Sequence, residues 1–569
     1  MNEACARLTW IALIFVLVGC TSATPVSRPT ERGESARSDS TAPRKRVIAA
    51  ILGNPPTLSN TINSSGAAGI PGASHTERLV NTGLTAVDAE GKLRPHLAEA
   101  VPSVENGLWR VEPDGRMVTT WTIRPGATWH DGVPLTPEDL IFSVRVGQDR
   151  ELAIFNDITY DSIESVEAPD QRTFVVRWKQ PFIQADGLFS TDANTLPLPK
   201  HVLERPYLES KMTLFQLPYW NAEYLGLGPY KMREWIPDSH LTLDANERYV
   251  LGRPKIDEIE VRFIPDSNAL AASILAGAVE LTLGRNLSFD ESVQVTDQWQ
   301  EGRMEVQLNS WQVMYPQLLN PQPAVTGDLR FRRALLHAVD RQTMVDSLLR
   351  PGISSVAHFF LGPRETDYRD VEGSAVRYEY DPRRAAQLVE EAGYHRGADG
   401  LFLDRANQPL NLEIRNRGIE IGIRSMFITA DYWKQLGMGV EGIVVPIQRA
   451  QDRPYMAGFP GYLLYNQPVD INYLKRIHSS QSPLPENGFV GQNNSRYANP
   501  EFDALIEQHF ATIPRQDRLQ VLRQIVRHST DQVLVMGLFY NTETTMIGNR
   551  LQNVTVGFPW DAHLWETKP

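Results

Sequence analysis

Trp121-Thr122-Ile123-Arg124-Pro125-Gly126-Ala127-Thr128-Trp129-His130-Asp131-Gly132, followed by Pro134-Leu135-Thr136-Pro137-Glu138-Asp139, is the stretch from which the rest of the chain is read. It carries three structural signals in succession. Val118 to Ile123 alternates as a half-buried strand does. His130-Asp131-Gly132 stands where that strand must reverse, and glycine supplies the positive-φ position such a turn needs. Thr136 then offers an N-cap, Pro137 fills the first helical position, and Glu138 and Asp139 place negative charge in the first turn. The segment predicts strand, turn and a helix running to about Val146.

The same alternation extends in both directions. Val47 to Leu52 is a short apolar run closed by Gly53-Asn54-Pro55-Pro56, hence a buried strand. A loop rich in Gly, Ser and Ala is expected from Ser64 to Ser74, then a helix from Glu77 to Leu84. Phe174 to Trp178 reads as another strand. Strands and helices keep alternating to the C-terminus, which predicts an α/β body with mixed sheets. No repeat with a period of some 20–50 residues is present.

Bulk properties narrow the function. The chain has 569 residues, 42% hydrophobic and 22% charged, enough to build several lobes with their own cores. Its net charge of -12 disfavours nucleic acid, and the basic runs Arg44-Lys45-Arg46 and Arg330 to Arg333 are short. Its two cysteines, Cys5 and Cys20, both lie at the N-terminus. The body therefore holds no disulfide, no thiol catalyst and no Cys-ligated metal. No Gly-x-Ser-x-Gly elbow, His-Glu-x-x-His pair or P-loop lysine signature is found, so no catalytic residue, metal site or cofactor is assigned and enzyme activity is not expected. A secreted hydrolase remains the alternative from another class. A DNA-binding regulator would need a helix-turn-helix where a secretion signal stands.

Leu8 to Val18 is too short to cross a bilayer, which takes roughly 20 apolar residues, but has the length of a signal-peptide h-region. Leu17-Val18-Gly19-Cys20 resembles a bacterial lipobox, which implies cleavage after residue 19 and a diacylglycerol on Cys20. Thr21 to Pro43 is rich in Ser, Thr, Arg and Pro and reads as a flexible tether.

Separated blocks of the body resemble the family 5 extracellular solute-binding proteins, the peptide and nickel receptors of ABC importers. They are Leu93-Arg94-Pro95-His96-Leu97-Ala98-Glu99 with the opening stretch; Gly226-Leu227-Gly228-Pro229-Tyr230-Lys231 through Trp235, Asn246 and Tyr249; Leu329 to Ala334 with Ala338-Val339-Asp340-Arg341; Tyr380-Asp381-Pro382-Arg383-Arg384-Ala385 with Glu391-Ala392-Gly393-Tyr394; and Tyr497 to Asp503. They occur in the family's order and span nearly the whole mature chain.

The resemblance implies a three-lobed clamp of the class II periplasmic-binding-protein type, large peptide-receptor form. Its divisions would be 1–19 signal peptide, 20–43 lipid-attached tether, 44–83 with 206–305 and 508–569 as lobe I, 84–205 as lobe II and 306–507 as lobe III. Lobes I and III would close on an organic solute and deliver it to membrane permease subunits. A receptor that senses without transporting is the alternative. The protein would be a monomer, extracytoplasmic, at the periplasm or the outer face of the cytoplasmic membrane, held by its lipid. Solute contacts are implied at Ser74 and His75 in the loop before the first helix, Trp311 and Tyr315 in the crossing into lobe III, Tyr462, Tyr465 and Asn466 in a lobe III loop, and Tyr540 in the returning strand. Peptide receptors of the family carry an Asp in that lobe III loop to pair with the peptide's α-amino group. Here Leu464 takes that place and Gly461 replaces a Trp, so free-peptide recognition is not expected unless Asp470 substitutes.

Overall fold

A computed structural model describes residues 44–568 except 64–69, 90, 113–114, 156, 192–194, 419, 450–451 and 558. The signal segment, the tether and Cys20 lie outside the described residues. No described helix is long and apolar enough to cross a membrane.

One sheet of ten strands runs through the molecule. In chain order its strands are β1 (Arg46–Ile51), β2 (Tyr230–Ile236), β3 (His240–Ala245), β4 (Glu258–Phe263), β5 (Leu281–Thr282), β6 (Gly302–Pro316), β7 (Asn411–Asn416), β8 (Gly439–Val444), β9 (Tyr462–Pro468) and β10 (Met536–Gly548). Across the sheet the order is β8-β7-β9-β6-β10-β5-β1-β4-β3-β2. The apolar run of β1 is buried on both faces and pairs in parallel with β4 and β5, as expected for a central strand covered by helices. The long strands β6 and β10 are antiparallel neighbours that pass from one half of the sheet to the other.

Each half has its own core. Val47, Leu79, Tyr230, Leu243, Val261, Ile547 and Trp565 meet on the lobe I side. Met314, Phe331, Ile414, Trp433, Tyr462 and Leu464 meet on one face of the lobe III half. Trp311, Val313, Tyr315, Leu463, Tyr473 and Tyr540 meet on its other face. A separate four-stranded sheet, with Trp121, Phe174 and Trp178 buried beneath it, centres lobe II.

The opening stretch folds as its residues dictate. Met117–Thr122 is a strand and Pro137–Gln148 a helix whose Asp139 carboxylate accepts the Thr136 N–H at 2.9 Å. Gly132 has φ 95° at the reversal. His130 ties this turn to another of the quoted blocks: its Nδ1 accepts the Gly226 N–H at 3.3 Å and its Nε2 lies 3.0 Å from the Gly228 carbonyl. Burial pushes the His130 pKa down to about 4, leaving the neutral ring that this pairing requires.

Two expected lobe boundaries differ from what is found. Tyr207, Leu214, Tyr219 and Trp220 pack with Phe142 and Val146, so lobe II continues beyond 205 to about residue 220. The helices Pro500–Ala511 and Arg515–Asp531 bury Phe502, Leu519, Leu522, Ile525 and Val526 against Trp311 and Leu463. Residues from 508 to the start of β10 therefore belong to lobe III, and the chain returns to lobe I along β10 itself. In both places an apolar helical face joined the core nearest to it, which linear spacing does not reveal.

Candidate functional site

The crossing of β6 and β10 is where polar side chains gather between apolar cores. Trp311 is opposite Tyr540 and Ser310 opposite Asn541, with a bulge between Leu308 and Ser310 that bends the pair. β9 flanks β6, with Asn466 opposite Gln312 and Tyr465 opposite Val313. Asn466 Oδ1 accepts hydrogen bonds from Gln312 Nε2 at 3.3 Å and Asn541 Nδ2 at 3.2 Å. Two residues further along β10, the Glu543 carboxylate accepts from Asn309. Burial raises the Glu543 pKa, opposed by Asn309 and Arg285.

Ser74 and His75 lie in the half of the sheet that holds β1 and β5. They lie in the first turn of the Ala73–Val80 helix rather than in a loop, since Gly72, at φ 82°, turns the chain one residue before. His75 packs so closely over Gly284 that a side chain there would meet its Nδ1 at 2.8 Å. Burial, helped by Arg78, pushes the His75 pKa down to about 3, so the ring is neutral. Asn286 fastens the adjoining turn to β10 by donating to the Thr544 carbonyl at 2.6 Å. Thr544 and Asn541 are three residues apart, about 10 Å at a strand rise of some 3.3 Å per residue.

On the lobe III side, Gly461 to Pro468 is not a loop. It is β9 with the residue before it, inserted between β7 and β6, so successive side chains alternate between faces. Tyr462 and Leu464 are buried in one core, Tyr462 edge-on to Trp433 at 5.1 Å and Leu464 opposite Met314. Tyr465 and Asn466 are the partly exposed pair of the strand. The other three aromatic candidates are also core residues. The Tyr540 hydroxyl donates to the Leu361 carbonyl at 2.7 Å, and the Tyr315 hydroxyl accepts from Tyr473 at 3.1 Å. Trp311 stands edge-on to Tyr473 at 5.4 Å. The structure thus places Asn466 in the polar contact between β6 and β10, leaves Tyr465 partly exposed on the other face of β9, sets His75 against the turn at Gly284 with Ser74 beside it, and seats Trp311, Tyr315, Tyr462 and Tyr540 in the cores.

Arg417 and Arg476 are not singled out by the sequence. Arg417, directly after β7, donates to the Tyr465 hydroxyl at 2.9 Å and lies over its ring at 5.1 Å. Arg476 lies 3.4 Å from Asp470. Glu365 has its pKa pushed up to about 7 by burial and by the nearby Asp470 and Asp367 carboxylates. Among the described residues, Arg417 Nε, Arg476 Nη1, Asp470 Oδ1, Trp311 Nε1 and Gln312 Oε1 are buried with no hydrogen-bond partner. Nine-tenths or more of such atoms are paired in folded proteins, so each of these is an atom that a further polar partner could meet. The one sequence signal for Arg417 is its position after the carboxyl end of a parallel strand, where open α/β sheets bind ligands. Among the described residues no group of three or more His, Cys, Asp or Glu side chains is placed to hold a metal ion.

These features are those of a two-lobed clamp around a solute, and the chain belongs to the bacterial extracellular solute-binding proteins, family 5, whose middle region matches residues 92–482. It is the substrate-binding component of an ABC importer, in an extracytoplasmic family of binding proteins rather than enzymes. It is similar to the oligopeptide-binding protein AppA of Bacillus subtilis, 25% identical over 95% of this chain and 94% of the other. The solved structure of that protein with a nonapeptide superposes with a TM-score of 0.71 at 21% identity, covering 93% of this chain and 100% of that one. NikZ of Campylobacter jejuni in complex with Ni(L-His) has the same fold, with a TM-score of 0.73 at 20% identity over 92% of this chain and 100% of that one.

Proposed function

We propose that the importer receptor formed by this chain takes a solute bearing at least one carboxylate, held beside Tyr465 by Arg417 and Arg476. The observation that carries this reading is the pair of buried, unpartnered guanidinium nitrogens, Arg417 Nε and Arg476 Nη1. A buried N–H of a permanently charged group costs free energy unless an acceptor meets it, and a carboxylate matches the guanidinium fork. The nonapeptide of AppA and the histidine complex of NikZ both carry carboxylates. Ser74 and His75, on the lobe I side, would complete the enclosure, with His75 acting as a neutral hydrogen-bonding group.

A second reading, a free-amine solute, is favoured by Asp470, whose Oδ1 is buried and unpartnered. It supplies the acid that Leu464 does not, six residues further on. The solute is bound without turnover. Native mass spectrometry of protein purified from its host, before and after denaturation, identifies the carried molecule. A solute without a carboxylate, or one recovered chemically altered, would overturn the reading.

The body acts as a monomer tethered through Cys20. Replacing Cys20 by serine is expected to abolish incorporation of labelled fatty acid and to leave the precursor uncleaved. Continued labelling would remove the anchor from the picture.

A further inference from the structure

Lobe II, expected only to pack beside lobe I, also grips lobe III. Ile183 N–H donates to the Phe510 carbonyl at 3.0 Å. Gln184 Nε2 donates to Asn472 Oδ1 at 2.8 Å, and its Oε1 accepts from the Lys475 ammonium. That ammonium sits over two rings, Phe182 of lobe II at 5.4 Å and Phe510 of lobe III at 5.1 Å. Each lobe also lends an isoleucine to the other: Ile183 packs against the lobe III core and Ile513 against the lobe II core.

The chemistry of this contact is that of a reversible one. It is largely polar, with the Lys475 ammonium between two rings and the Asp186 carboxylate facing Arg518, as is typical of surfaces between domains that move. The ammonium is balanced by ring faces and an amide oxygen instead of a direct ion pair, so separating the lobes returns it to water at little cost. Burial lowers the Lys475 pKa to about 8, opposed by Asp157 of lobe II and Asp470, with Arg476 adding to the lowering. Lys475 also belongs to the short helix Tyr473–Ile477, which carries Arg476 and the Tyr473 that bonds to Tyr315. Whatever orders that helix at the crossing therefore sets the position of the lobe II contact.

We propose that Lys475 and Gln184 are positioning residues for solute capture: they catch lobe II against lobe III when the clamp is shut, so that the third lobe takes part in closure. This does not depend on which solute is bound.

Hydrogen–deuterium exchange on the full chain tests it, read at the segment 182–185 that holds the Ile183 amide. In the unaltered protein this segment is expected to be protected. In Lys475→Ala with Gln184→Ala its exchange should rise about ten-fold or more, while Thr173–Trp178 and Gly439–Val444, one strand from each lobe, stay unchanged. Lys475→Arg, which keeps a cation able to stack on both rings, should hold protection within about two-fold. If the double variant loosens those strands as well, Gln184→Ala alone, at a half-buried position outside either core, gives the same reading. Exchange of 182–185 at the rate of an open loop in the unaltered protein, no rise in the variants, or failure of Arg to stand in for Lys475 would each overturn the proposal.

Discussion

The two faces of β9 are built from neighbouring letters and both pack on cores, through Tyr462 and Leu464 on one side and Leu463 on the other. They differ at Tyr465, which meets a charged group. Tyr462 and Leu464 enter an apolar core against Trp433 and Met314, while Tyr465, one pleat away, carries Arg417 on its ring and hydroxyl. A residue at 464 cannot greet a ligand beside Tyr465 without leaving its own core, because strand side chains alternate with period two. The leucine that departs from the family's pattern is therefore more than a missing charge. It is a core residue of this chain, packed opposite Met314.

The largest expected effect is that of placing an acid on the core face. Leu464→Asp should destabilise the protein by about 4–5 kcal/mol, read from denaturant unfolding, because a carboxylate with no partner is forced into apolar packing. A well-folded variant that gained affinity for a tripeptide would break the comparison between the faces. Away from β9, in lobes I and II, lowering pH should weaken folding through the buried neutral histidines. His75 and His96 have folded pKa values of about 3 and His130 about 4, all below the unfolded value near 6.5. A base with a depressed folded pKa contributes fully above pH 6.5 and loses that contribution as pH falls. Each should cost about 2 kcal/mol between pH 7 and pH 5. Glu77 works the other way, since burial raises its carboxyl to about 7 and an acid so shifted favours the folded state as pH falls. Urea midpoints should drop from pH 7 to pH 5, and a flat profile would show the histidines to be hydrated.

On the ligand face, Arg417→Ala or Arg476→Ala should reduce affinity for the solute that co-purifies by about ten- to a hundred-fold, the worth of a charged hydrogen bond. Unfolding free energy should move by less than about 1 kcal/mol, since neither side chain belongs to a core. Loss of stability without loss of affinity would reverse the roles of the two faces. The smallest effect belongs to Tyr465→Phe, which removes only the hydroxyl that Arg417 meets and should weaken binding by no more than about five-fold by calorimetry.

Local structure was legible where a residue's chemistry acts on its neighbours. The Thr136–Asp139 cap and the Gly132 reversal appear where spacing put them. The site was half legible. Ser74 and His75 lie in a helix and not in a loop, because the left-handed residue is Gly72. Tyr465 and Asn466 lie on a strand. Trp311, Tyr315 and Tyr540 look like ligand contacts in a list of aromatics, yet each is consumed by packing between β6, β10 and the helices above them. Arg417 and Arg476 stay hidden in the sequence because nothing local marks them; only the missing hydrogen bonds do.

The bulge between Leu308 and Ser310 has a mechanical consequence. Because β6 and β10 run unbroken through both halves of the sheet, the clamp has no slack hinge, only a narrow ribbon that works as a flexure. Two-stranded ribbons accept large changes of twist while keeping their ladder bonds. Relative motion of the two halves must bend or twist this shared element. For the same reason heat cannot melt one jaw and spare the other: calorimetry should record the two as a single event.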